Sequence, residues 1–154
     1  MELVEIYVLC KDRSKALVLA FLEHFLPNRE EVAEDYPYPE YADSPKHVYD
    51  DCEEILGVLE QDKNESYSLY WDDTSNGEVR SAMVFYTEDA SMIAGVTVAS
   101  GKEEAWLRKL SDCLGGGYGY VGFDAPPPET KAEFIDLCES TDQTRLIGGE
   151  LVSG

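Results

Sequence analysis

Base is scarce in this chain. Twelve Lys and Arg stand against 32 Asp and Glu, for a formal net charge of −20 at pH 7 over 154 residues. That shortage argues against a nucleic-acid binder, whose affinity rests on clustered Lys and Arg. It also sets the chain against anionic membrane surfaces. Histidine is scarcer still, at two. Neither His24 nor His47 has a motif around it, so no Ser-His-acid arrangement can be read. The four cysteines, at positions 10, 52, 113 and 138, lie far apart and in apolar stretches. They carry no zinc or redox spacing and read as free buried thiols in a reducing compartment. The longest uncharged run, residues 90–101, is too short to span a bilayer. The opening Met-Glu-Leu-Val-Glu lacks the basic region of a signal peptide. A cytoplasmic protein that binds neither nucleic acid nor membrane is expected.

What is there suits one folded domain, residues 1–154. Apolar residues make up 44% of the chain, and Tyr alone occurs ten times. A chain of this mass should expose roughly 7,800 Å² when folded, enough to enclose a core without covalent staples. Alternation of Val4, Ile6, Val8 and Cys10 predicts a strand over 3–10. Asp12 or Ser14 caps a helix reaching Leu26, which Pro27 ends. Residues 28–45 read as a long acidic connection interrupted by prolines. Val48, Cys52, Ile55, Leu56 and Leu59 place a second helix over 46–60. Three strands follow, at 66–71, 79–87 and 92–99, and Asn76-Gly77 marks a hairpin between the first two. Gly95 inside the third predicts a bulge or a close contact. A helix over 102–114 ends at Gly115, a strand follows at 118–123, and Thr130 with Glu133 opens a last helix. Residues 141–154 read as a short strand or a loosely ordered tail. The order β-α-α-β-β-β-α-β-α predicts an α+β two-layer sandwich. In it, helices pack on one face of a mainly antiparallel sheet.

Three features invite a chemical reading and lose it on context. The run 115–122 is glycine-rich, but it follows a helix and enters a strand. A phosphate loop needs the reverse order, with free N–H groups at a helix N-terminus. The turn at 72–77 is rich in Asp, but the twelfth position from Asp72 is Met83 and not the Glu a calcium loop requires. His47, Asp50 and Glu54 share one face of the expected second helix, yet a single helix seldom completes a metal site. No catalytic residue, metal or cofactor is assigned.

The remaining signal is where the acid sits. Residues 28–78 hold sixteen Asp and Glu against three Lys and Arg. Tyr36, Tyr38, Tyr41, Tyr49, Tyr67, Tyr70 and Trp71 are interleaved with them. Aromatic rings with polar tips make good interface anchors, and surrounding acids steer a basic partner. The segment therefore reads as a partner-binding face, with Asp35, Tyr36, Tyr38, Tyr41, Asp50, Asp51 and Glu54 at or near the contact. The plainer reading is a solubilising surface with half-packed tyrosines.

The segment Tyr-Pro-Tyr-Pro-Glu-Tyr-Ala-Asp, followed by an acidic amphipathic helix in a small chain of high negative charge, resembles the small acidic immunity proteins that bacteria pair with secreted or contact-delivered toxins. That resemblance implies a binder that occludes the active site of a toxin domain, often a nuclease with a basic cleft. Immunity proteins span many folds, so it carries no residue over by position. Two alternatives stand beside it. One is a small-molecule binding module or small enzyme on a sheet face left open by the helices, lined by Tyr70, Trp71, Tyr86 and Tyr118. The other is a regulatory subunit for a different basic protein.

Overall fold

A computed structural model describes residues 2–154. The opening alternation forms β1 (Leu3–Leu9). Val4, Ile6 and Val8 bury on one face and Tyr7 and Leu9 on the other. A strand apolar on both sides needs cover on both, and β1 lies inside the sheet. Ser14 caps α1 (Lys15–Phe25), its hydroxyl accepting from the Leu17 N–H at 3.1 Å. The meander forms as expected, from β5 (Tyr67–Asp73), β6 (Val79–Tyr86) and β7 (Met92–Ala99). At its first turn Asn76 takes φ 58°. The bulge falls between Val79 and Ser81, not at Gly95. Gly95 is instead a close contact, since a Cβ there would stand 2.5 Å from the Tyr7 ring. Then come α3 (Glu103–Leu114), β8 (Gly119–Gly122) and α4 (Lys131–Ser140). Thr130 caps α4, accepting from the Glu133 N–H at 3.2 Å. Gly116 also marks a close approach, because a Cβ would sit 1.5 Å from the Leu9 carbonyl oxygen.

Two stretches carry more structure than expected. The acidic connection contains β2 (Arg29–Glu31) and β3 (Tyr36–Tyr38). Residues 46–49 are not helical. They form β4 (His47–Tyr49), paired with β3, and α2 begins only at Cys52 (Cys52–Gln61). Asp51 is its N-cap, accepting from the Glu53 N–H at 2.9 Å. His47, on β4, therefore shares no helix face with Asp50 and Glu54. The last residues are not a loose tail either. β9 (Arg145–Ile147) and β10 (Glu150–Val152) form a hairpin that joins the sheet through β8.

The main sheet has eight strands in the order β10-β9-β8-β1-β7-β6-β5-β2, each pairing antiparallel. This is the α+β sandwich read from the element order, with two additions at the sheet edges. The large core lies under one face, where α1, α2 and α3 press Phe21, Leu22, Ile55, Leu56, Leu107 and Leu110 against the inward side chains of β1, β5, β6 and β7. The fourth helix departs from the expected single layer. Phe134 and Cys138 of α4 pack on the opposite face, against Tyr7, Leu9, Ile93 and Tyr120. That stripe is narrow, so α4 covers only part of the face.

Arg13, just before α1, ties the layers together. Its residue is 5% exposed. Its guanidinium donates to the carbonyls of Leu59 and Asp62 at the end of α2, of Glu65 in the loop after it, and of Thr87 and Ser91 around the β6–β7 turn, at 2.6–3.3 Å. It lies 4.8 Å from the centre of the Tyr86 ring. The whole surface measures 7974 Å², close to the value expected for a globule of this mass.

Candidate functional site

The acidic segment folds into one end of the molecule: β2, the β3–β4 hairpin, α2 and the β5–β6 turn. Very little of its charge is neutralised. Lys15 reaches Glu53 at 3.8 Å and Lys102 reaches Glu78 at 3.7 Å. Arg29, one of its three bases, is held by Glu23 outside the segment at 3.1 Å. Between α1, α2 and β2 these acids surround a groove of about 390 Å³ carrying Glu23, Glu30, Glu31, Asp51 and Glu53, with Arg29 as its one base. Like charges held together in a concave surface focus their field outward. The N-terminus of α2 lies here, and its partial positive charge stabilises Asp51 and Glu53. Among the described residues, no group of three or more His, Cys, Asp or Glu is arranged to hold a metal ion.

The seven residues singled out from sequence divide into three groups. Asp35, Asp50, Asp51 and Glu54 are exposed. Asp51 lines the acidic groove, and Glu54 faces a shallower one on the other side of α2 together with Tyr38, Tyr49 and Asp62. Tyr36 and Tyr38 are different. They are 3% and 9% exposed, and their hydroxyls donate to the carboxylates of Glu31 and Asp62. Burial, followed by those carboxylates, raises both phenols well above their usual range. They are pillars of the core that hold acids in place, and their rings are packed largely inward. Period-two spacing across Pro37 puts both on the same, inward side of β3. Tyr41 remains free, at 86% exposed.

The sheet face opposite the three helices also divides. Trp71 and Tyr86 point into the main core and are 2% and 3% exposed, so they do not line an open face. Tyr70 does. Its ring meets Phe85 edge to face at 5.7 Å, Phe85 meets Tyr7 at 6.0 Å, Tyr7 meets Tyr120 at 5.5 Å, and Tyr120 meets Phe134 of α4 at 5.3 Å. Tyr118 packs at the covered end of this row. At the uncovered end, the sheet, the loop after β3 and the proline loop before α4 enclose a groove of about 420 Å³.

Glu40 lies in that groove, half-buried, its Oε1 accepting from the Ser68 N–H at 3.0 Å. Burial pushes its carboxyl up to about 7. Sequence reasoning passed over Glu40, one acid among 32, because the loop that half-buries it has no periodic signature. Neither His24 nor His47 is among the residues lining the groove. The buried thiols are poor nucleophiles, since burial pushes Cys52 and Cys138 up to about 12.

No helix among the described residues is long and apolar enough to cross a membrane. Comparison with known protein families, with curated proteins and with solved structures finds no match.

Proposed function

We propose that the chain is a stoichiometric binding protein of the immunity type, which neutralises a basic toxin domain by covering it with its acidic end. One observation supports this reading above the others. The carboxylates around α2 and β2 are exposed and converge on one groove, where Glu23 and Glu53 are ion-paired but Glu30, Glu31 and Asp51 have no basic partner among the described residues. Five carboxylates so placed repel each other and cost stability. A basic surface docked on them relieves that repulsion, and their field speeds its approach. A contact of standard size, about 800 Å² per partner, spans the groove and the exposed turn of α2 carrying Glu54.

The reading is tested by co-expression with the product of the neighbouring gene, followed by purification and association kinetics. Growth rescue and a one-to-one complex are expected, with association that slows as salt rises. The triple variant Asp51→Asn, Glu53→Gln, Glu54→Gln keeps the helix cap, because Asn caps as well as Asp. It should slow association by about tenfold or more and flatten the salt dependence. A neighbour that is neither bound nor neutralised would end this reading.

A further inference from the structure

We infer that the groove at the open end of the aromatic row is a binding site for a small organic cation, an ammonium or guanidinium on a short apolar stem. This groove is separate from the acidic groove at α2, and the inference does not depend on the toxin reading. Tyr70 and Phe85 form its floor, Tyr41 stands at one rim, and residues 126–128 form the facing wall. Glu40, Glu88 and Glu129 supply three carboxylates, and none of the described residues lining the groove is basic. Its volume of about 420 Å³ falls within the range of small-ligand pockets.

The composition of the walls selects the ligand. An anion would meet three carboxylates and no base. A neutral apolar molecule would strip water from those carboxylates without replacing its hydrogen bonds. A cation on an apolar stem suits both wall types, resting its charge on the ring faces and its stem on the prolines. Tyr41 adds a second argument. Its backbone sits at φ 64°, a region that a bulky residue rarely occupies, and its ring is 86% exposed. The fold gains nothing from a tyrosine there that Gly or Asn would not supply. The groove gains an aromatic rim. Glu40 adds a third. Its burial already disfavours the charged form, and a cation seated beside it reverses that penalty.

The experiment is an NMR titration of the full chain with choline and with agmatine, at an ionic strength of about 0.15 M. The neutral isostere of choline, 3,3-dimethylbutan-1-ol, serves as the control. Saturable shifts are expected at residues 40–41, 68–70, 85–88 and 126–129 for at least one cation, with a Kd of about 1 mM or tighter, and none with the isostere. Glu40→Gln and Tyr41→Gly should each weaken binding by about tenfold, while their amide spectra stay those of a folded chain. Equal response to the neutral isostere would overturn the inference, as would absence of saturation with both cations. So would shifts spread over Glu30, Glu31, Asp51 and Glu53 that neither variant alters, because that pattern is counter-ion attraction to the net charge.

Discussion

Arg13 uses all five N–H donors of its guanidinium on main-chain carbonyls. Two of those carbonyls, of Leu59 and Asp62, lie at the C-terminus of α2, where the helix dipole is negative, so the buried charge is answered by dipoles in place of a carboxylate. Arg13→Met should cost about 3–5 kcal/mol, because it orphans acceptors of α2, of the loop after it and of the β6–β7 turn at once. Urea unfolding measures it, and an unchanged midpoint would refute the rivet role. Its partners lie 46 to 78 residues away, so no local pattern could expose it, and from sequence Arg13 is only a residue between two candidate caps. Glu40 yields a second prediction at this scale. Its carboxyl rises from an ordinary value near 4.5 to about 7 on folding. Between those values the folded chain holds the proton that the unfolded chain releases, so stability falls as pH rises through this window. Glu40→Gln keeps the acceptor for Ser68 and removes that penalty. It should be more stable than the parent at pH 8, by on the order of 1 kcal/mol given partial exposure, and equal to it at pH 4. Thermal melts at the two pH values check both limits.

Among the elements, legibility followed the period of the burial pattern. β1, β5, β6 and β7 alternate cleanly or run apolar between turn residues, and α1 and α3 carry broad apolar stripes, so each was visible. The acidic connection was not, because β2, β3 and β4 are three residues each and too short to show a period. The early start assigned to α2 has a related cause. Val48 happens to fit the helical stripe of Cys52 and Ile55, and it is in fact 43% exposed on β4. The better signal was Asp51 with Glu54 three residues on, the spacing of a capping box. The cap makes a prediction. Asp51→Ala should destabilise by about 1 kcal/mol, whereas Asp51→Asn should leave stability nearly unchanged. If chemical denaturation shows the two alike, the helix start is held by packing alone. Of the residues singled out, the acids are exposed while Tyr36 and Tyr38 are buried, a division hidden from the sequence because composition cannot tell a tyrosine pillar from a tyrosine anchor.

For the whole molecule, charge and topology pull on different properties. Three ion pairs among the described residues leave most of the 32 acids repelling one another. Raising NaCl from low to physiological concentration should therefore raise the melting temperature, because screening weakens a repulsion the folded state concentrates. A melting point that falls with salt would mean the surviving pairs outweigh it. Topology acts earlier in the life of the chain. β1 is synthesised well before its two neighbours in the sheet, β7 and β8, with Leu9 paired to Ile93 and Ile6 to Val121. At ordinary elongation rates that wait is on the order of ten seconds. Throughout it, an apolar strand with both edges bare is attached to a growing, increasingly acidic polypeptide. The same carboxylates that burden the finished fold keep such nascent chains apart while the central strand waits for its partners.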